Sequence, residues 1–194
     1  MTYNNQILAG VDEVGRGPLA GDVIAAAVIL CPKNEISGLI DSKKLSEKNR
    51  QKFAIQIKDK SLCWSIARSN VQEIETYNIL EATMLAMKRA VEGLTVLPEY
   101  VIVDGNRLPS WSYPSEPVVK GDSIAPCISA ASIIAKVFRD EEMKNFDKIY
   151  PGYGFSRHKG YGTKEHIDAI KRLGPTPIHR RTFEPMKSII TGTL

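Results

Sequence analysis

The feature that most constrains this chain is its longest unbroken apolar run, Val23 to Cys31, VIAAAVILC. It falls well short of the roughly 20 residues that cross a bilayer, so it reads as a strand rather than a membrane span. A second apolar run, Ile7 to Glu13, precedes it across a Gly/Pro-rich turn, and Leu62 to Ser69 alternates apolar with polar residues. Three strands follow, in an order that suits an antiparallel meander. Between the second and the third, Ser46 caps a helix that carries Phe53 and Ile57 on one face, with Glu47 at the positive end of its dipole.

From Asn70 the period becomes helical. Ile74, Ile79, Leu80, Met84, Met87, Val91 and Leu94 predict one long helix, followed by the strand Tyr100-Val-Ile-Val-Asp104. A strand around Val118-Val119, a helix from about Ile128 to Tyr150, and a helix opened by Thr163 and closed at Gly174-Pro175 continue the alternation. The expectation is an α/β protein, a mixed sheet flanked by helices. With 194 residues, 43% of them hydrophobic and 25% charged, and no repeat or linker, the chain reads as one globular domain over 1–194 with a basic C-terminal helical segment. Met1 to Ala9 lacks the charged-then-apolar order of a signal peptide, so a cytoplasmic protein without a membrane partner is expected. Cys31, Cys63 and Cys127 form no disulfide framework or zinc knuckle and are expected to be small buried hydrophobes.

Charge is lopsided: residues 151–194 hold eight Lys/Arg against three Asp/Glu. Charge alone leaves two readings open, a nucleic-acid partner or a solvated basic face.

The chemistry concentrates at strand ends. Asp12-Glu13 closes the run ILAGV, and the turn GRGPLAG follows at once. Adjacent strand residues point to opposite faces, so both side chains do not aim at one point, although a side chain and a backbone carbonyl can serve the same cation. Asp104 ends the strand YVIVD, where open α/β sheets bind ligands. Asp122, in VVKGDS, is a third strand-edge acid beside a glycine; taken alone it reads as an ordinary turn aspartate. Four gathered carboxylates repel unless their pKa values rise or a cation joins them, and an all-oxygen set suits Mg²⁺ or Mn²⁺ better than zinc. The turn Gly15-Arg16-Gly17-Pro-Leu-Ala20 formally matches a dinucleotide fingerprint, but the residues after it read as a strand rather than the helix that fingerprint needs. A close-approach turn with one cation, Arg16, remains, suited to phosphate and sugar contacts.

Tyr150, Tyr153, Phe155 and Tyr161 lie among Arg157, His158, Lys159 and Lys164. Such interleaving suits base or sugar stacking beside phosphate neutralisation, or a Gly-rich loop whose rings pack on the core.

Taken in order, DEVGRGPLAG, DSKKLS, VDG, KGDS, AASIIAKVFRD, HKGYGTKEH and HRRTFEP resemble bacterial ribonuclease HII, the type 2 ribonuclease H family, from about Leu8 to Met186. The resemblance implies a ribonuclease H-like fold and metal-dependent hydrolysis of the RNA strand of RNA/DNA hybrids. It also implies cutting 5′ to single ribonucleotides embedded in duplex DNA, leaving 3′-hydroxyl and 5′-phosphate ends. It places the acidic set at Asp12, Glu13, Asp104 and Asp122, the hybrid-reading loop at Gly15, Arg16 and Gly17, a backbone-contacting lysine at Lys43 and the junction-sensing tyrosine at Tyr161. Two Mn²⁺ or Mg²⁺ ions, a nucleic-acid substrate and a monomeric enzyme are the matching expectations.

Overall fold

In the computed structural model, which describes residues 6–39 and 45–193, the apolar run forms a strand buried on both faces. β2 spans Val23–Ile29 with every residue buried. It pairs antiparallel with β1 (Leu8–Val14) on one side and β3 (Cys63–Ser69) on the other, which is the expected meander. β4 (Tyr100–Asp104) joins the far side of β1 in parallel, and β5 (Ser115–Val118) joins β4 in parallel. The sheet order is β3-β2-β1-β4-β5.

Alternation along β2 explains its lack of polar positions. Val23, Ala25, Ala27 and Ile29 pack with Ala82, Ala86 and Met87 of α2 (Val71–Glu92). Ile24, Ala26 and Val28 pack with Ile57 of α1 (Glu47–Lys60) and with Ala130 and Ile134 of α3 (Pro126–Ile149). Helices cover both faces, so neither set of side chains meets water. On β1, Gly10 admits α3 at a distance no side chain allows: a Cβ there would stand 2.3 Å from the Cys127 carbonyl carbon.

Helix starts follow their capping residues. Ser46 Oγ accepts from Asn49 N at 3.3 Å, and Thr163 Oγ1 accepts from His166 N at 3.3 Å. α3 begins at Pro126, two residues before the expected Ile128, because proline suits the first helical position. The long helix is broken at Asn78, whose φ is 69°. Its Oδ1 accepts from the N–H groups of Leu80 and Glu81, capping the second half afresh. β5 lies earlier than the expected Val118-Val119 because residues 115–118 pair with 101–104, and Val119 is exposed. The short helix α4 (Phe155–His158) within the Gly-rich segment was not expected, and the expected C-terminal helical segment consists of α5 (Lys164–Leu173) and the short α6 (Met186–Thr191). Cys63 and Cys127 are buried, whereas Cys31 is only half-buried, and all three are free thiols. Among the described residues no helix is long and apolar enough to cross a membrane.

Candidate active site

The parallel pairing of β1 with β4 ends at Val11 opposite Val103. One residue further on stand Asp12 and Asp104, so the two strands deliver their acids to the same end of the sheet. Asp12, Glu13 and Asp104 line a cavity of about 330 Å³ together with Gly15, Arg50, Ser132, Lys136 and Tyr161. Alternation sends Asp12 towards α3 and Glu13 towards α2, as expected of neighbours on a strand. Glu13 and Asp104 accordingly also line a second cavity of about 300 Å³, with Arg16, Met84 and Met87.

These carboxyls are held in conditions that oppose their charge. Asp12 is buried, and its pKa is raised well above the ordinary range, first by burial and then by the charges of Glu13 and Asp104. The Ser132 hydroxyl and the Glu13 N–H, 2.7 Å from Asp12 Oδ1, pull the other way. Glu13 is raised too, by burial and by Asp104, against the opposing charge of Arg16, whose Nη1 lies 3.8 Å from Glu13 Oε1.

Asp122 reaches the site by another route than the expected strand edge. It is buried in a single 3₁₀ turn, Gly121–Ser123, beyond β5. Its N–H donates to Asp104 Oδ1 at 3.4 Å, which ties that turn to the end of β4. Gly121 lets the turn pack against α3, since a Cβ there would stand 2.5 Å from Ile128 Cδ1. The donor set is carboxylate oxygen alone, partly buried and mutually repelling, and this fits a hard divalent cation. Among the described residues no three His, Cys, Asp or Glu side chains gather closely enough to hold an ion by themselves. Mg²⁺ is commonly held by only one or two carboxylates plus waters and substrate phosphate, so the fit stands on donor chemistry.

Beside the acids runs the turn from Gly15, at φ 99°, to Asp22. Buried Arg180 donates to the carbonyls of Gly15, Arg16, Pro18 and Gly21, and buried Arg139 to those of Ala20, Asp22 and Lys159. A Cβ on Gly17 would lie 3.6 Å from the Tyr161 ring, so the turn and that ring face each other across a short gap.

The aromatic segment divides. Tyr153 and Phe155 are buried and stacked, with ring centroids 5.3 Å apart, so they pack on the core. Tyr161 is 44% exposed at the cavity rim. Its flanking glycines serve the backbone: Gly160 and Gly162 lie so close to Ala20 and Leu19 that a Cβ would stand 2.8 Å and 3.1 Å from them. Below Tyr161 lie three buried histidines, two of them hydrogen-bonded to each other. Thr176 N donates to His179 Nδ1, so the His179 proton sits on Nε2 and points at His166 Nε2, 3.0 Å away. His166 Nδ1 then donates to the Tyr161 carbonyl at 2.9 Å. Burial lowers the pKa of both rings to about 4, helped at His166 by the charge of His158 and at His179 by the charges of His166 and His158.

Of the sequence-derived site residues, Asp12, Glu13, Asp104, Gly15 and Tyr161 meet in one cavity, while Arg16, Gly17 and Asp122 border it. Lys43 lies outside the described residues. Arg50, Ser132, Lys136, Arg139 and Arg180 were not foreseen in any role, though the last four fall within the motifs AASIIAKVFRD and HRRTFEP.

Comparison with known proteins places this geometry in a family. The family model described as Ribonuclease HII matches residues 9–186. The chain is similar to the ribonuclease H2 from Pyrococcus horikoshii OT3, at 28% identity and a TM-score of 0.80, covering 95% of this chain and 97% of that one. It is similar in fold to the ribonuclease HII of the PCNA:RNase HII complex from Archaeoglobus fulgidus, at 22% identity and a TM-score of 0.71, covering 94% and 96%. Bst-RNase HIII in complex with Mn²⁺ shares the fold at 18% identity and a TM-score of 0.70, covering 95% of this chain and 69% of that one.

Proposed function

Since the chain belongs to the ribonuclease HII family, we propose that this ribonuclease H cuts duplex DNA on the 5′ side of a single embedded ribonucleotide as well as the RNA strand of RNA/DNA hybrids. Its products carry 3′-hydroxyl and 5′-phosphate ends. The observation that carries this reading is the single cavity in which strand-end acids, the Gly15 turn and a half-exposed tyrosine meet. Acids alone fit many nucleases. A backbone turn facing an aromatic ring adds a seat for one sugar, and the 2′-hydroxyl is the group by which a protein tells RNA from DNA there.

Asp12, Glu13, Asp104 and Asp122 are the residues that would hold Mg²⁺ or Mn²⁺. A pair of such ions supplies activation of a water and stabilisation of the leaving 3′ oxygen. The chain's own residues do the rest. Asp122, through its N–H, orients Asp104; Ser132 orients Asp12. Gly15, Arg16 and Gly17 offer backbone groups to the ribonucleotide, Tyr161 stacks on its sugar, and Lys43 contacts the backbone of the nucleic acid.

The deciding experiment is cleavage of a duplex containing one ribonucleotide, with and without divalent metal, mapped to the nucleotide. A metal-dependent cut 5′ to the ribonucleotide is expected. Cutting of four-way DNA junctions with that duplex left intact would overturn the reading, and so would a hybrid that is bound yet uncut in Mg²⁺ and in Mn²⁺.

A further inference from the structure

Two arginines lie in the interior, and among the described residues neither forms a salt bridge. Arg180 is fully buried. Its Nη2 donates to Gly15 O at 2.5 Å and Gly21 O at 2.7 Å, its Nη1 to Arg16 O and Pro18 O at 2.8 Å, and its Nε to Gly21 O at 2.9 Å. Burial of a guanidinium without a carboxylate is unfavourable unless its donors are all used, and here the backbone of one turn uses them. Lysine presents a single point of charge and cannot address four carbonyls at once; the planar fork of arginine can.

The consequence lies on the opposite side of the turn. In a trans peptide unit the C=O and the following N–H point in opposite directions, and the peptide bonds of this turn are not among the described cis bonds. With the carbonyls of Gly15 and Arg16 turned inward to Arg180, the N–H groups of Arg16 and Gly17 face outward. Among the described residues no backbone carbonyl takes either of them. Gly17 meets the Tyr161 ring there.

We propose that Arg180 is a positioning residue for ribonucleotide reading: by fixing the peptide planes of the turn it presents the Arg16 and Gly17 N–H groups to a sugar hydroxyl seated against Tyr161. The inference rests on the reading of Gly15-Arg16-Gly17 as the substrate-facing turn. Arg139 supplies the control. It is equally buried and packs against Gly15, but its hydrogen bonds go to the carbonyls of Ala20, Asp22 and Lys159, and so fix no peptide plane from Gly15 to Pro18.

The test compares affinity for a DNA duplex carrying one ribonucleotide with affinity for the same duplex without it, by fluorescence anisotropy in EDTA so that neither is cut. The wild-type chain is expected to prefer the ribonucleotide by about tenfold, within reach of two neutral hydrogen bonds. Arg180→Lys brings that ratio close to one and leaves all-DNA affinity unchanged, while Arg139→Lys keeps the ratio. A wild-type ratio in Arg180→Lys overturns the proposal, and so does an equal loss on both duplexes, which is what a general structural defect produces. A wild-type chain without any preference overturns the reading of the turn itself, which separates the two failures. If Arg180→Lys does not fold even in the cold, hydrogen exchange on the wild-type chain decides. Coupling is reciprocal, so the Arg180 guanidinium protons exchange more slowly in the ribonucleotide complex than in the all-DNA complex, and equal exchange overturns the proposal.

Discussion

The two walls of the cleft are built by opposite means. The acidic wall is an extension of the sheet: Asp12, Glu13 and Asp104 stand where β1 and β4 end, placed by ladder hydrogen bonds that any sequence able to form those strands would make. The wall facing it, the turn Gly15 to Asp22, has little regular structure of its own and is held by Arg139 and Arg180, one on α3 and the other near the C-terminus. One wall is fixed by pairing within the sheet, and the other by two side chains distant in sequence together with a few backbone bonds that join Leu19 and Gly21 to Gly160, Ile178 and Arg180. A change on the first therefore acts through charge or packing against α3, and a change on the second acts through loop geometry.

The sharpest way to break that contrast is Asp104→Asn. It removes one negative charge and keeps the size, so cleavage is abolished while the strand end stays intact. Repulsion among the acids falls, and the melting temperature without metal stays level or rises. A melting temperature several degrees below wild type would show that the acidic wall depends on this side chain for its fold.

Acid tests the second wall next. His166 and His179 have folded-state pKa values of about 4, below the ordinary 6.5. Between those values the unfolded chain binds more protons than the folded one. The stability they contribute is therefore complete above about pH 6.5 and is lost as pH falls towards 4. The raised carboxyls of Asp12 and Glu13 act with the opposite sign in the same window, so the comparison is with a variant: denaturant midpoints of the wild-type chain should fall more steeply from pH 6.5 to 4 than those of His179→Gln. Equal slopes in the two chains contradict the neutral pair.

Gly10→Ala probes the first wall with no change of charge. The added methyl meets the Cys127 backbone at 2.3 Å, so β1 and α3 must part, at a cost of about 1–3 kcal/mol in unfolding free energy. An unchanged denaturant midpoint would show that this junction is soft. Tyr161→Ala gives the smallest stability effect, because the ring is half-exposed. It should lower activity on a single embedded ribonucleotide by the equivalent of about 1–3 kcal/mol and leave all-DNA binding in place, with Tyr161→Phe intermediate. Equal losses on both substrates, with a large drop in stability, would make the tyrosine structural.

The same contrast explains what was legible in the sequence. A carboxylate that closes an apolar run is conspicuous, so Asp12, Glu13 and Asp104 stand out by residue type and position, and the β2 run announces a strand. Asp122 was visible as an acid beside glycine, but its 3₁₀ turn was not, because three residues carry too little pattern. Arg180 and the histidines were invisible as supports. Their partners are backbone carbonyls and each other, and a carbonyl has no letter in the sequence. The break at Asn78 was hidden too, since apolar residues on both sides keep a helical period across it.

The sheet order also bears on how this chain meets its own copies. A sheet left open at both ends offers unpaired strand edges, which are templates for aggregation. At one end stands β5, four residues long, with Pro117 unable to donate a hydrogen bond and Glu116 beside it. At the other end β3 carries Arg68, paired with Asp22 and Glu142, and Trp64, covered by the Lys58 ammonium at 4.8 Å. Charge and proline thus blunt both edges, so an enzyme that must keep one end of its sheet open to a long polymer does so without inviting a second sheet to extend it.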